Sequence, residues 1–544
     1  MQPTHLLRGV GVVTAVLALG ACDSLLEVEL PHLLTQSAIK DISSAEIQVN
    51  SAIALFECGY SNHGVTALGH EGYMQSIAGV FGGGHGYTVT AAGGACDTSS
   101  TNVAWFDQMM GSRAMLVTQP ARLVPTARGT VTGEFPVGKG VYDRIQDEWG
   151  VANVRNGERL SAIASLYVAM NLTHMGEFLC EVAIDGSDLI TPPEVLALAE
   201  TWIGTAQTHI TNNGDFAMPF SVAPSATNLA LAIRARMRWA DRDFAGAAAD
   251  AAAVLAAAPT FVAYVTREAG LTRRNKIFHN PTDVGFSGIL GVHDWWSPAT
   301  RRPNPVTGLP WPNPIPFTGS IFLGIMPDGR TLEAGNIPVR YAQELRNASE
   351  QPVLLGNGAV TDTRVRHIYK SIQGPGKHEV PSVYANDATD IPYMTWEELT
   401  LIRADGALAL GGPANLLAAI GFVNALRTSK TLPTVSGAYL TTLTDGANDA
   451  AEVRALVYEE RRRELFAEGG RFWSTKIQNT DIAWFPRAEG QTPFQRYNWQ
   501  GGVRQIMPTD EYEQNPYFVA RGGRASRTLG CAGLFGSQAP YLID

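Results

Sequence analysis

The stretch from Ala226 to Ala258 limits the possible folds more than any other part of the chain. Leu229, Ile233, Met237 and Ala240 recur at helical spacing, Asp241-Arg242-Asp243 interrupts, and Phe244, Ala247, Ala248, Ala251 and Leu255 resume the same period. A helix faced with alanine lets its neighbour approach closely, and one aromatic at the turn wedges the pair apart at a fixed angle. The run Phe244–Ala258 carries Asp250 and is too short to span a bilayer, so it reads as a packed helix in an aqueous protein.

A second hairpin of the same kind fits Trp396–Leu426. Leu399, Ile402, Ala404 and Leu408 line its first helix, Gly411-Gly412-Pro413 turns it, and Leu416, Ala419, Ile420 and Val423 line the second. The two pairs are similar to tetratricopeptide units, each a helix hairpin that buries its apolar face against a neighbour. Other helices are expected over Ser44–Cys58, Tyr142–Trp149 and Asn156–Glu181, and from a start at Thr191-Pro192-Pro193-Glu194, where an N-cap threonine precedes early prolines and an acid. The class is therefore mainly α. Residues 280–340 break the pattern: Pro, Gly and aromatic residues dominate and no period is sustained, which marks a long structured insertion.

Composition excludes several functions. The chain has 544 residues and a net charge of −10 with no basic stripe, so nucleic acid is not expected as a partner. No HExxH, GxxxxGK[ST], GxSxG or strand-led GxGxxG occurs, and no CxxC exists. His279 and His293 lack Cys or acidic partners at ligand spacing. No catalytic residue, metal site or cofactor is therefore expected. The first residues read as an export signal: Arg8, an apolar run Val10–Leu19, then Leu19-Gly20-Ala21-Cys22, which resembles a lipobox with Cys22 as the lipidated residue. Asp23 leaves the choice between inner and outer membrane open. Cys58, Cys96, Cys180 and Cys531 remain, an even number that in an exported chain suggests disulfides.

The segment Val457–Lys476 (VYEERRRELFAEGGRFWSTK) is dense in charge yet ends in glycines and aromatics. Read as a helix over Ala451–Glu468, it sets Val453, Leu456, Val457, Leu465 and Phe466 on an apolar side. Arg461 falls on or beside that side, so it must snorkel or find a carboxylate. Glu459 and Arg463 form a favourable i,i+4 pair, and Arg461 can reach Glu464. Gly469-Gly470 supplies a left-handed stop.

The order Glu460-Arg461-Arg462-Arg463-Glu464-Leu-Phe-Ala-Glu468-Gly-Gly-Arg471-Phe-Trp resembles the C-terminal signature of SusD/RagB-type nutrient-uptake lipoproteins, with Ser474-Thr475 departing from it. Other segments match in order: the start at Cys22, Gly157-Glu158-Arg159 through Tyr167, the hairpin Asp241–Leu255, Asp362-Thr363-Arg364, Ile391–Asp405 ending in Ile-Arg-Ala-Asp, Asn424 to Arg427, and Met507-Pro508 with Glu511 and Asn515-Pro516. The resemblance implies a single SusD-like domain over 22–544 after a signal of 1–21. Its helical part spans about 36–260, a loop-rich insertion about 270–390, and a helical and loop part about 391–544.

The resemblance also implies what such a chain does. It would be lipid-anchored at the outer membrane, bind a glycan or peptide, and pass it to a TonB-dependent SusC-like barrel. The family's signatures are scaffold motifs and assign no ligand residue. Sugars need aromatic platforms with polar rims, so the candidates are Tyr73, Tyr87 and Trp105 in one region, and Trp295, Trp296, Arg301 and Trp311 in the other. Helix packing in the family further implies a Cys58–Cys180 disulfide, with Cys96–Cys531 as the second. Two alternatives are an envelope scaffold binding proteins through its helix pairs and an exported hydrolase with scattered carboxylates.

Overall fold

The protein is described by a computed structural model. It describes residues 39–71, 104–117, 140–184, 188–270, 273–282, 383–432, 449–479 and 515–523. It also describes the strands 74–76, 122–125, 131–135, 290–292, 339–346, 352–353, 360–371 and 377–381, and residues 434, 504, 505 and 507.

Helices carry the architecture. In chain order they are α1 (Ala45–His70), α2 (Ala104–Leu116), α3 (Gly157–Phe178), α4 (Pro192–Asn213), α5 (Ala226–Ala240), α6 (Phe244–Ala257), α7 (Trp396–Leu410), α8 (Pro413–Ser429), α9 (Asp449–Glu464) and α10 (Arg471–Gln478). The expected hairpins are α5–α6 and α7–α8, and the mainly α, tetratricopeptide-like fold stands. The α4 start is the capping box its sequence promised, with Glu194 accepting the Thr191 N–H at 2.6 Å. Alanine has the consequence expected of it where α6 meets α7: a Cβ on Gly406 would lie 2.4 Å from the Ala248 Cβ, so the two helices touch nearly backbone to backbone.

Short strands tie the helical blocks together. Strand β1 (Val262–Val265) pairs antiparallel with β5 (Ile391–Thr395), bringing Ile391 opposite Val265. Between them in sequence, β3 (Val360–Ser371) lies parallel to β2 (Val339–Arg346) and antiparallel to β4 (Lys377–Pro381). Strand β5 feeds directly into α7, where the Thr395 hydroxyl accepts the Glu398 N–H at 3.1 Å. One apolar core joins α1 to α6, and a second joins α7, α8 and α9 through Leu401, Ala404, Leu416, Ile420, Val423, Val453 and Leu456. Among the described residues no helix is long and apolar enough to cross a membrane.

The expected cysteine pairing does not fit this packing. Cys58 and Cys180 are each disulfide-bonded. Along α1 and α3, Phe56 meets Tyr167, Tyr60 meets His174, and His63 meets both His174 and Phe178. That register sets Cys58 several residues short of Cys180 along the pair, on the order of 12 Å at 1.5 Å per residue. Cys58 also stands two residues beyond Phe56, on another side of α1. A disulfide needs its Cα atoms within about 7 Å. The proposed partners Cys96 and Cys531 lie outside the described residues.

Candidate functional site

Of the ligand candidates, only Trp105 falls among residues whose side chains are described, and it is not a platform. It is 2% exposed, donates from Nε1 to Gln505 Oε1 at 3.1 Å, and meets His63 and His174 edge-on. A buried indole whose N–H is already bonded offers nothing to a ligand. Tyr73, Tyr87, Trp295, Trp296, Arg301 and Trp311 lie outside the described residues, as do Cys22 and its lipobox.

The charged signature lies entirely within them, and it is interior. Helix α9 ends at Glu464, four residues before the expected end, and the chain turns through Ala467 (φ 60), Gly469 (φ 62) and Gly470 (φ 94) into α10. The glycines answer a second demand. A Cβ on Gly469 would lie 2.5 Å from the Tyr60 ring, and one on Gly470 would lie 2.6 Å from the His63 Nε2. Glu459, Glu460 and Arg463 are fully buried.

The charges of Glu459 to Glu464 and of Arg471 all meet counter-charges, some of them shared. Arg463 Nε and Arg462 Nε donate to Glu459 at 2.7 and 2.6 Å. Arg364, the arginine of Asp-Thr-Arg on β3, bridges Glu460 at 2.5 Å and Glu464 at 2.6 Å. Arg427 reaches the other Glu460 oxygen from α8 at 3.0 Å, and Lys430 meets Glu397 at 2.8 Å and Glu464 at 3.5 Å. Arg471 forks onto Glu177 of α3, which also accepts the Ser474 hydroxyl. Arg461 does not turn to Glu464. It passes over the Trp239 ring at 4.5 Å and donates to Asp405 Oδ2 at 2.6 Å.

Burial shifts the acid–base balance here. It pushes the Glu459 carboxyl up to about 7 against the pull of Arg463, and raises Glu464 against Arg364. Glu468 is raised well above its usual range by burial and then by Glu397 and Glu464. Glu71, whose Oε1 accepts the Phe472 and Trp473 N–H groups at 3.1 and 3.2 Å, is pushed by burial up to about 8. Lys476, one turn along α10, is brought down to about 7 by the same cause.

Next to this network opens a cleft of about 200 Å³. Three helices end at it: α5 at Trp239, α7 at Leu408 and Ala409, and α10 at Gln478 and Asn479; Phe244 and Arg454 close the remaining sides. Trp239 Nε1 donates to Asp405 Oδ2 at 2.6 Å. Arg454 donates to Asn479 Oδ1 at 2.9 and 3.1 Å, and Arg242, in the left-handed turn of the α5–α6 hairpin, donates to the Gln478 side chain at 3.2 Å. In the sequence Phe244 stands as the turn aromatic and Asp405 as the acid closing Ile-Arg-Ala-Asp. Nothing local in the sequence joins them to the rest of the cleft, because Arg454 and Asn479 lie 49 and 74 residues beyond Asp405. Among the described residues no group of three or more His, Cys, Asp or Glu is placed to hold a metal ion.

No family model matches the chain. A SusD-like protein of Formosa agariphila is 29% identical over 160 residues, which are 27% of this chain and 31% of that protein. The match therefore spans about a third of the relative's length. A crystal structure of a SusD superfamily protein from Bacteroides vulgatus superposes over 87% of this chain and 97% of its own, with TM-score 0.50 and 11% identity. Another from the same organism covers 88% and 98%, with TM-score 0.48 and 10% identity. The first of these crystal structures speaks for the fold: this chain is SusD-like in architecture, and the 160-residue match to a SusD-like protein agrees with it.

Proposed function

From the premise of a SusD-like chain, we propose that this protein is a lipoprotein, anchored through Cys22 at the outer membrane, that captures a nutrient and hands it to a TonB-dependent SusC-like barrel. The nutrient is a glycan, with a peptide as the other class to be tried. The observation that carries this reading is the use of the charged signature. Every charged residue of it from Glu459 to Glu464, and Arg471, is matched by a counter-charge inside the scaffold. The signature therefore holds helices together, which supports a scaffold role for it and leaves capture to another face.

Capture and transfer need a face that the buried network does not supply. In this reading the aromatic loops carry it, through Tyr73, Tyr87, Trp295, Trp296, Arg301 and Trp311. Protein starting after Cys22, titrated with a panel of glycans and peptides, should bind at least one and release it unchanged. Cleavage of a panel member would overturn the reading. In cells, the full chain should carry lipid on Cys22 and co-purify with an outer-membrane barrel.

A further inference from the structure

We propose that the cleft between α5, α7 and α10 is a second binding site on the scaffold, and that it takes one neutral, hydroxyl-bearing ring of a saccharide. The proposal rests on the nutrient-binding reading and adds to it a contact point built from residues other than the aromatic candidates.

The argument begins with Asp405. Its side chain is 18% exposed, and it lines the cleft. Both bonds it accepts among the described residues, from Trp239 and from Arg461, end on Oδ2. Oδ1 is left as an acceptor at the cleft wall. Tied to two rigid neighbours, the carboxylate cannot swing away to solvent, so a donor placed opposite Oδ1 meets a fixed partner.

Charge then selects the ligand. The C-terminal ends of α5, α7 and α10 border the cleft with partial negative charge and the first turn of α6, which begins at Phe244, with partial positive charge, and Asp405 adds a full negative one. Arg461 balances Asp405 at 2.6 Å, Arg454 caps the end of α10 through Asn479, and Arg242 does so through Gln478. An ammonium group would meet these arginines, and a carboxylate would meet Asp405 and the helix ends. A hydroxyl avoids both costs and still donates to Oδ1. Phe244 and Leu408 offer an apolar wall for the C–H face of a ring. A space of about 200 Å³ holds one such ring.

The test uses protein starting after Cys22, with glucose, galactose and mannose as separate probes, read by saturation-transfer NMR and calorimetry. Ala409→Trp fills the cleft from an exposed rim position. Leu410→Trp, at a neighbouring position 70% exposed and not among the lining residues, is the control. One sugar should bind the wild type and the Leu410→Trp variant alike and lose about tenfold or more in affinity with Ala409→Trp, at unchanged melting temperature. Equal binding by Ala409→Trp overturns the proposal. If longer glycans bind the wild type while no monosaccharide does, the cleft proposal fails and the nutrient reading stands. If neither binds, both fail for saccharides.

Discussion

Two sets of ion pairs join helices in this protein, and they are built from the same residue types in opposite surroundings. On the α4–α5–α6 side, Arg238 spans Glu200 at 2.7 Å with side chains 26% and 47% exposed. In the signature, Arg427 and Glu460 meet at 2.8 Å with both side chains fully buried. Water screens the first pair and leaves it worth about 0–1 kcal/mol. The second has given up its hydration and depends on its partners alone, so removing one member strands the others. Charge count in the sequence does not distinguish the two; depth does.

That contrast can be broken most directly at Glu460. Glu460→Ala removes the carboxylate shared by Arg364 and Arg427, and should cost about 3–5 kcal/mol in denaturant unfolding. A loss below 1 kcal/mol would put the signature in the same class as the surface pair. Function should divide the other way. If a tryptophan among Trp295, Trp296 and Trp311 is a platform, truncating it to Ala should weaken ligand binding by about 2 kcal/mol or more with little change in melting temperature. Normal binding by all three variants would remove that loop from the site.

The pH dependence sharpens the comparison within the interior. Glu71 has a folded pKa of about 8 against 4.5 for the free group. With the folded value raised, its stabilising contribution is complete below 4.5 and is lost as pH rises through 8. Glu71→Gln does not titrate, so its stability relative to wild type should improve steadily from pH 4.5 to 8. A flat difference would mean that Glu71 is ionised throughout. At the small end, Glu200→Ala, which removes the exposed partner of Arg238, should cost under about 1 kcal/mol, and less in high salt. Peptide mapping without reductant completes the set: Cys58 and Cys180 should appear in separate disulfides, and a Cys58–Cys180 peptide would contradict the α1–α3 register.

Much of the fold was legible in the sequence because its signals are local. Thr191 and Glu194 make their capping box within four residues, the alanines of α6 declare a close helix neighbour, and Gly469-Gly470 marks a turn that any larger residue would strain. Even Asp362-Thr363-Arg364 and Ile-Arg-Ala-Asp405 could be noticed as motifs. The sequence determined most of the helical segments, though not α2, that the helices pair, and that a dense run of charges must be partnered. Tertiary structure alone decided who the partners are. Arg461 has Glu464 within reach at i+3, yet it goes to Asp405, 56 residues away, because a buried cation is stabilised most where a carboxylate and an aromatic face are already fixed. Trp105 looked like a loop platform until the packing of α2 on α1 and α3 enclosed it. The cleft at Asp405 exists only because three helices end at one place, and sequence periodicity within a helix carries no record of where other helices stop.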